Sequence, residues 1–154
     1  MTAEHLLSYF SEKRFVPELR ARSKDGVLLE MVRALAEDGA VGDPTLLLEM
    51  IRRRESLGST GLGKGVAIPH GRSTAATDTR VVFARSTKGV DFGAIDNEPC
   101  RIFFLIVAPY EDTKHEYLPL LGKIAELANS ARDPLVAADS FSAFSAAVRE
   151  ALGE

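Results

Sequence analysis

The chain is poor in the residues that build metal centres and disulfides: its 154 residues include one cysteine, three histidines and no tryptophan. The lone Cys100 excludes an internal disulfide and any multi-cysteine metal site. It opens an apolar run and reads as a small buried hydrophobe. His5, His70 and His115 are scattered, without carboxylates at ligand spacing, so neither a metal nor a cofactor is expected. Long apolar runs are missing too. No stretch approaches the roughly 18 residues of a membrane span. The segment Met1–His5 lacks the basic-then-apolar pattern of an export signal. A cytoplasmic protein without direct membrane insertion is the expectation. A basic excess is also lacking: 19 Lys and Arg stand against 22 Asp and Glu, a net charge of −3, so nothing invites nucleic acid.

What is present is ordinary for a globular protein, with 45% hydrophobic and 27% charged residues. The length suits one domain over residues 1–154, with room for a real core. Leu28, Met31, Val32 and Leu35 recur at helical spacing within 26–38, and Gly39 ends that run. Asp43-Pro44 reads as an N-cap followed by proline at the first helical position. The helix it starts carries Leu47, Met50 and Ile51 on one face and stops at Gly58. Residues 66–68 and 80–85 are short strand candidates. Residues 101–108 form a continuous apolar run, typical of a strand covered on both faces. A helix runs to about Asn129, and a last one shows Phe141, Phe144, Val148 and Leu152 at steps of three and four. Helices interspersed with strands predict an α/β fold. A short, frayed N-terminal helix would leave His5 at the surface.

The most informative stretch is Gly58-Ser59-Thr60-Gly61-Leu62-Gly63-Lys64-Gly65, followed by Val66-Ala67-Ile68-Pro69-His70-Gly71. Closely spaced glycines allow tight turns that point successive N–H groups at an anion. The stretch lacks the Gly-Lys-Ser/Thr ending of a nucleotide-binding P-loop. His70, held between a proline and a glycine, has little freedom and stands at the mouth of a strand. Neutral imidazole is a nucleophile near pH 7 and can take up and release a phosphoryl group. A phosphate-shaped loop beside a positioned imidazole suggests transfer through a phosphohistidine. Arg54 lies seven residues after Leu47, on the inner stripe of its helix, while Arg52 and Arg53 point to solvent. Its planar fork suits phosphate oxygens; the alternative is a structural pair with Glu55 or another carboxylate. Ser59 and Thr60 either bond the imidazole or phosphoryl group or stabilise the turn.

Arg54-Glu55, Gly58-Ser59-Thr60-Gly61 and Ala67-Ile68-Pro69-His70-Gly71 together resemble the signature of the type-2 enzyme IIA domains. These are the fructose, mannitol and nitrogen-regulatory class of the bacterial phosphoenolpyruvate-dependent phosphotransferase system. The resemblance continues from Gly89-Val90-Asp91-Phe92 to Ala108-Pro109. It implies a mixed central β-sheet flanked by helices, with His70 as phosphoryl acceptor, Arg54 as its functional arginine, and Ser59, Thr60, Gly61, Gly63 and Gly65 in the phosphoryl loop. It implies the histidine phosphocarrier protein as donor, and a IIB domain or a regulatory target as acceptor. A single domain with no IIB or membrane segment is the expectation, and the motif leans toward the nitrogen-regulatory members.

Two positions depart from the family pattern. Lys64 replaces a small polar residue, often asparagine, and reads as a solvated loop lysine. The family's second histidine aligns with Tyr117, whereas His115 lies two residues upstream. Thr113–Glu116 looks like a capping box, but Pro119 would then sit inside the helix. A start nearer Glu116 leaves His115 in the preceding loop, where it could line the site, or Tyr117 supplies a hydroxyl instead. The competing function is a binding module that docks on a transporter or kinase without transferring phosphate.

Overall fold

The computed structural model describes residues 1–154. In chain order the elements are α1 (Ala3–Leu7), a 3-10 turn (Glu12–Arg14), β1 (Phe15–Val16), α2 (Lys24–Glu37), α3 (Pro44–Ser56), β2 (Gly61–Gly63), β3 (Val66–Ala67), β4 (His70–Ser73), β5 (Arg80–Val90), β6 (Cys100–Pro109), α4 (Tyr117–Ser130), α5 (Arg132–Ala137) and α6 (Phe141–Ala151). They form one mixed sheet flanked by helices, in the order β1-β5-β6-β3-β2 with β4 also on β6. Strands β5 and β6 pair antiparallel; β3 and β4 both run parallel to β6.

The continuous apolar run is β6, and it serves both faces of the sheet. Ile102, Phe104, Ile106 and Ala108 join Leu6 of α1, Leu120 and Ile124 of α4, Leu135 of α5 and Phe144 of α6 in one core. Cys100, Phe103, Leu105 and Val107 join Met31 and Leu35 of α2 and Leu47 and Ile51 of α3 in the other. Alternating directions along one strand thus feed two helical layers, so positions 102–108 are all apolar and fully buried. Each fully buried Leu or Phe contributes about 1.5–3 kcal/mol.

The local signals largely hold. Asp43 caps α3 through Leu46 N at 3.1 Å, with Pro44 in the first turn. Gly39 follows α2 with φ of 73°. Helix α1 is not frayed: Ala3 and Leu6 are fully buried, and Ala3 N–H donates to Glu154 Oε2 at 2.9 Å. His5 is exposed on it, as expected.

Residues 66–73 position the site. Val66 and Ala67 pair with Ile102 and Phe103, and His70 and Gly71 with Ile106 and Val107, in the same register on either side of Pro69. Proline has no N–H to donate, so it interrupts the ladder without shifting it. His70 therefore opens β4 beside Ile106, on the face covered by α4.

Candidate active site around His70

His70 sits half-buried where β4 begins, between the C-terminal end of α3 and the start of α4. Its ring lies against the Ile68 carbonyl, with Nδ1 2.7 Å from that oxygen. A carbonyl only accepts, so Nδ1 carries the proton and Nε2 keeps its lone pair. Burial and the nearby Arg54 charge hold the imidazole below its ordinary pKa, against opposing pulls from the Ile68 hydrogen bond and the Glu55 charge. The ring is neutral at pH 7, with a defined tautomer. The next residue, Gly71, points to the opposite face. A Cβ there would come within 2.9 Å of Ile51 Cδ1, so the glycine lets α3 pack close to β4.

Helix α3 delivers two charged neighbours. Arg54 is half-buried at its end and spends one donor on the Gly58 carbonyl at 3.0 Å. It makes no pair with Glu55, and the rest of its guanidinium fork is free. Glu55 is buried: it takes a 2.5 Å ion pair from Lys24 Nζ and accepts from both the backbone N–H (3.2 Å) and the hydroxyl of Thr60. Arg52 and Arg53 are exposed as expected, but Arg52 makes a two-bond pair with Asp25, and Arg53 pairs with Glu49.

The glycine-rich stretch is a hairpin. Strands β2 and β3 pair antiparallel across Lys64 and Gly65, whose φ values of 56° and 80° suit a two-residue turn with both central residues left-handed. Its polar groups are occupied. Gly61 N–H donates to Ser59 Oγ at 3.0 Å, the Ser59 hydroxyl to Phe92 O at 2.6 Å, and Lys64 N–H to Asp96 at 2.8 Å. Gly63 and Gly65 turn this hairpin, while Ser59 and Thr60 bind it to the Phe92 loop and to Glu55. Glycines spaced for an anion nest serve a tight hairpin equally well, because both need left-handed backbone.

The far wall comes from α4. Its start is fixed by Asp112, whose carboxylate accepts from Glu116 N at 3.1 Å and Tyr117 N at 2.9 Å. The helix begins at Tyr117, with Pro119 in its first turn, where the missing N–H costs nothing. The Tyr9 hydroxyl donates to Glu116 Oε2 at 2.5 Å, tying α1 to this corner. Tyr117 is buried, its ring centroid 6.1 Å from that of His70. Burial pushes its phenol up to about 12, so it remains a donor. His115 stays in the preceding loop, exposed, with φ of 54°. It shares a cavity of about 440 Å³ with Arg72, Asp112, Tyr117 and Leu118.

Arg72 escaped the sequence reading. Its guanidinium lies 5.6 Å from the Tyr117 ring centroid. The available signal was its place two residues after His70, which matters only once that segment is known to be a strand. Cys100 is fully buried and its thiol is pushed up to about 11, so it is inert. No group of His, Cys, Asp and Glu side chains could hold a metal ion. No helix is long and apolar enough to cross a membrane.

Comparison with known proteins gives concordant matches. The family described as "Phosphoenolpyruvate-dependent sugar phosphotransferase system, EIIA 2" matches residues 8–150. The PTS system fructose-specific EIIABC component of Bacillus subtilis is 34% identical over 109 residues, covering 71% of this chain but only 17% of that protein. The crystal structure of nitrogen regulatory protein IIA-Ntr from Neisseria meningitidis superposes with a TM-score of 0.83 and 31% identity, over 92% of this chain and 97% of that one. Enzyme IIA-Mtl of Escherichia coli, in complex with phosphorylated enzyme IIB-Mtl, shares the fold with a TM-score of 0.75 and 21% identity, over 92% and 99% of the two chains.

Proposed function

Because this chain belongs to the EIIA type 2 family of the phosphoenolpyruvate-dependent sugar phosphotransferase system, we propose that it is a phosphocarrier whose His70 accepts and returns a phosphoryl group through Nε2. The observation that carries the reading is the 2.7 Å contact from Nδ1 to the Ile68 carbonyl, which leaves Nε2 as the free nucleophile. The donor is a phosphohistidine on the histidine phosphocarrier protein. As the Nε2–P bond forms, the donor's P–N bond breaks and its imidazole leaves neutral. The His70 proton stays on Nδ1, where the Ile68 carbonyl stabilises the positive ring of the phosphorylated state. Return of the phosphoryl group reverses these steps.

Arg54 supplies positive charge to the phosphoryl oxygens with the donors Gly58 leaves free. Ser59, Thr60, Gly61, Gly63 and Gly65 frame the site and fix the end of α3 that carries Arg54. His115 stands at the rim, where an incoming partner meets the chain. The acceptor is a cysteine-bearing IIB component or a regulatory target. The IIB partner of the E. coli mannitol enzyme supports the former, and the IIA-Ntr likeness supports the latter. The phosphocarrier unit spans residues 1–154 and acts in the cytoplasm.

The test is the intact mass of wild type and His70→Ala after incubation with phosphoenolpyruvate, enzyme I and the histidine phosphocarrier. One acid-labile phosphoryl adduct is expected on wild type and none on His70→Ala. No adduct on folded wild type would favour a module that docks without transferring. Arg54→Ala is expected to slow uptake about tenfold or more, the worth of one charge-assisted hydrogen bond, with little change in unfolding.

A further inference from the structure

His70 and Arg72 belong to one strand, and alternation along β4 sends both side chains to the face covered by α4. Their register partners on β6, Ile106 and Ala108, belong to the core on that same face. At parallel-strand spacing the two residues stand about 6.6 Å apart. Tyr117 lies against both: its ring centroid is 6.1 Å from the His70 ring and 5.6 Å from the Arg72 guanidinium carbon. A guanidinium within about 6 Å of an aromatic face is attracted by the ring quadrupole and loses much of its freedom. Arg72 takes part in none of the chain's ion pairs. Its side chain is exposed, so it is charged, seated and unspent.

We propose that Arg72, seated on the face of Tyr117, is a second phosphoryl-binding residue of this site, donating its free guanidinium N–H groups to the oxygens of the group carried by His70. This rests on the phosphocarrier reading above. Tyr117 acts as the positioning residue: its ring fixes the guanidinium. Arg54 approaches from α3 and Arg72 from the α4 side, so the phosphoryl oxygens meet a cation on each flank of the imidazole. The other titratable groups facing this space are Asp112 and His115 on the α4 loop and the buried Glu55 behind Arg54. Asp112 spends its oxygens on two backbone N–H groups rather than on Arg72.

The test uses the full chain phosphorylated through phosphoenolpyruvate, enzyme I and the histidine phosphocarrier. Wild type, Arg72→Gln, Arg72→Lys and Arg149→Gln are compared, the last removing an exposed charge from α6. Two quantities are read: the equilibrium fraction phosphorylated, and the pH midpoint of the phosphoryl group's last protonation by 31P NMR. Arg72→Gln is expected to lower the equilibrium constant for phosphorylation about tenfold and to move the midpoint upward, since a cation that binds the dianion also favours its deprotonation. Arg72→Lys restores part of both, because it keeps the charge and loses the fork. Arg149→Gln matches wild type. If wild type carries phosphate on His70 and Arg72→Gln behaves as Arg149→Gln does, the assignment of Arg72 is overturned while the function of His70 stands. If folded wild type takes no phosphoryl group, the functional reading itself falls, and this assignment with it.

Discussion

His70 and Ile68 are joined by a hydrogen bond across Pro69, from ring Nδ1 to a backbone carbonyl two residues earlier, at 2.7 Å. The proline fixes the path between them, so tautomer and ring orientation are set by the backbone rather than by another side chain. Burial, with help from Arg54, nevertheless favours the uncharged ring. The folded pKa therefore lies below the unfolded value of about 6.5. Between those two values the unfolded chain binds more protons.

The neutral ring thus contributes stability that is complete above the unfolded value and lost as pH falls through the folded one. An NMR titration of the His70 ring protons is expected to give a midpoint below that of free histidine. Phosphoryl uptake is expected to fail over the same acid range. His70→Gln should remove this part of the acid slope of stability. A midpoint above the free value would contradict the assignment of a neutral nucleophile.

Glu55 connects the end of α3 to the Ser-Thr-Gly loop, and its loss is felt on both sides. Glu55→Ala strips Thr60 of the acceptor for its buried N–H and hydroxyl, a cost of about 1–3 kcal/mol, whereas Lys24, about a third exposed, can turn to water. Urea unfolding reads that loss as a lower midpoint with an unchanged slope. The milder Glu55→Gln is expected to lower the His70 midpoint further, because the carboxylate charge now holds it up. An unmoved His70 titration in that variant would show that Glu55 has no electrical role at the site.

At Gly61 the hairpin passes close to the loop after Phe92. A Cβ there would meet Ala94 Cα at 2.9 Å and Ala94 Cβ at 2.8 Å, and backbone must shift to admit it. Gly61→Ala is expected to cost about 1–3 kcal/mol, the usual scale for overpacking. Unfolding in urea measures it. A neutral result would mean that the Ala94 loop yields freely and does not help to frame the site.

The features carried by local chemistry were legible in the sequence. The apolar run of β6 announced a strand covered on both faces, Asp43-Pro44 marked the start of α3, and the Pro-His-Gly sequence singled out His70. What escaped depends on contacts between distant segments. Strands β1, β2 and β4 have two to four residues, too few for a period of two to show. Without β4, nothing in the sequence puts Arg72 on the face of His70. For the hydroxyls of Ser59 and Thr60 the sequence leaves two roles open, and in the fold their partners are Phe92 O and Glu55. Tyr117 rather than His115 faces His70 because Asp112 fixes the helix start at Tyr117 and leaves His115 in the loop before it, with φ of 54°.

The most direct measurement is a long-range 1H–15N spectrum with 31P coupling, recorded on the 15N-labelled protein before and after phosphorylation. The expected result is a neutral His70 protonated at Nδ1 beforehand, and phosphorus coupled to Nε2 of His70 afterwards with the Nδ1 proton still in place. Phosphorus on Nδ1, or on any residue other than His70, would contradict a nucleophile oriented by the Ile68 carbonyl.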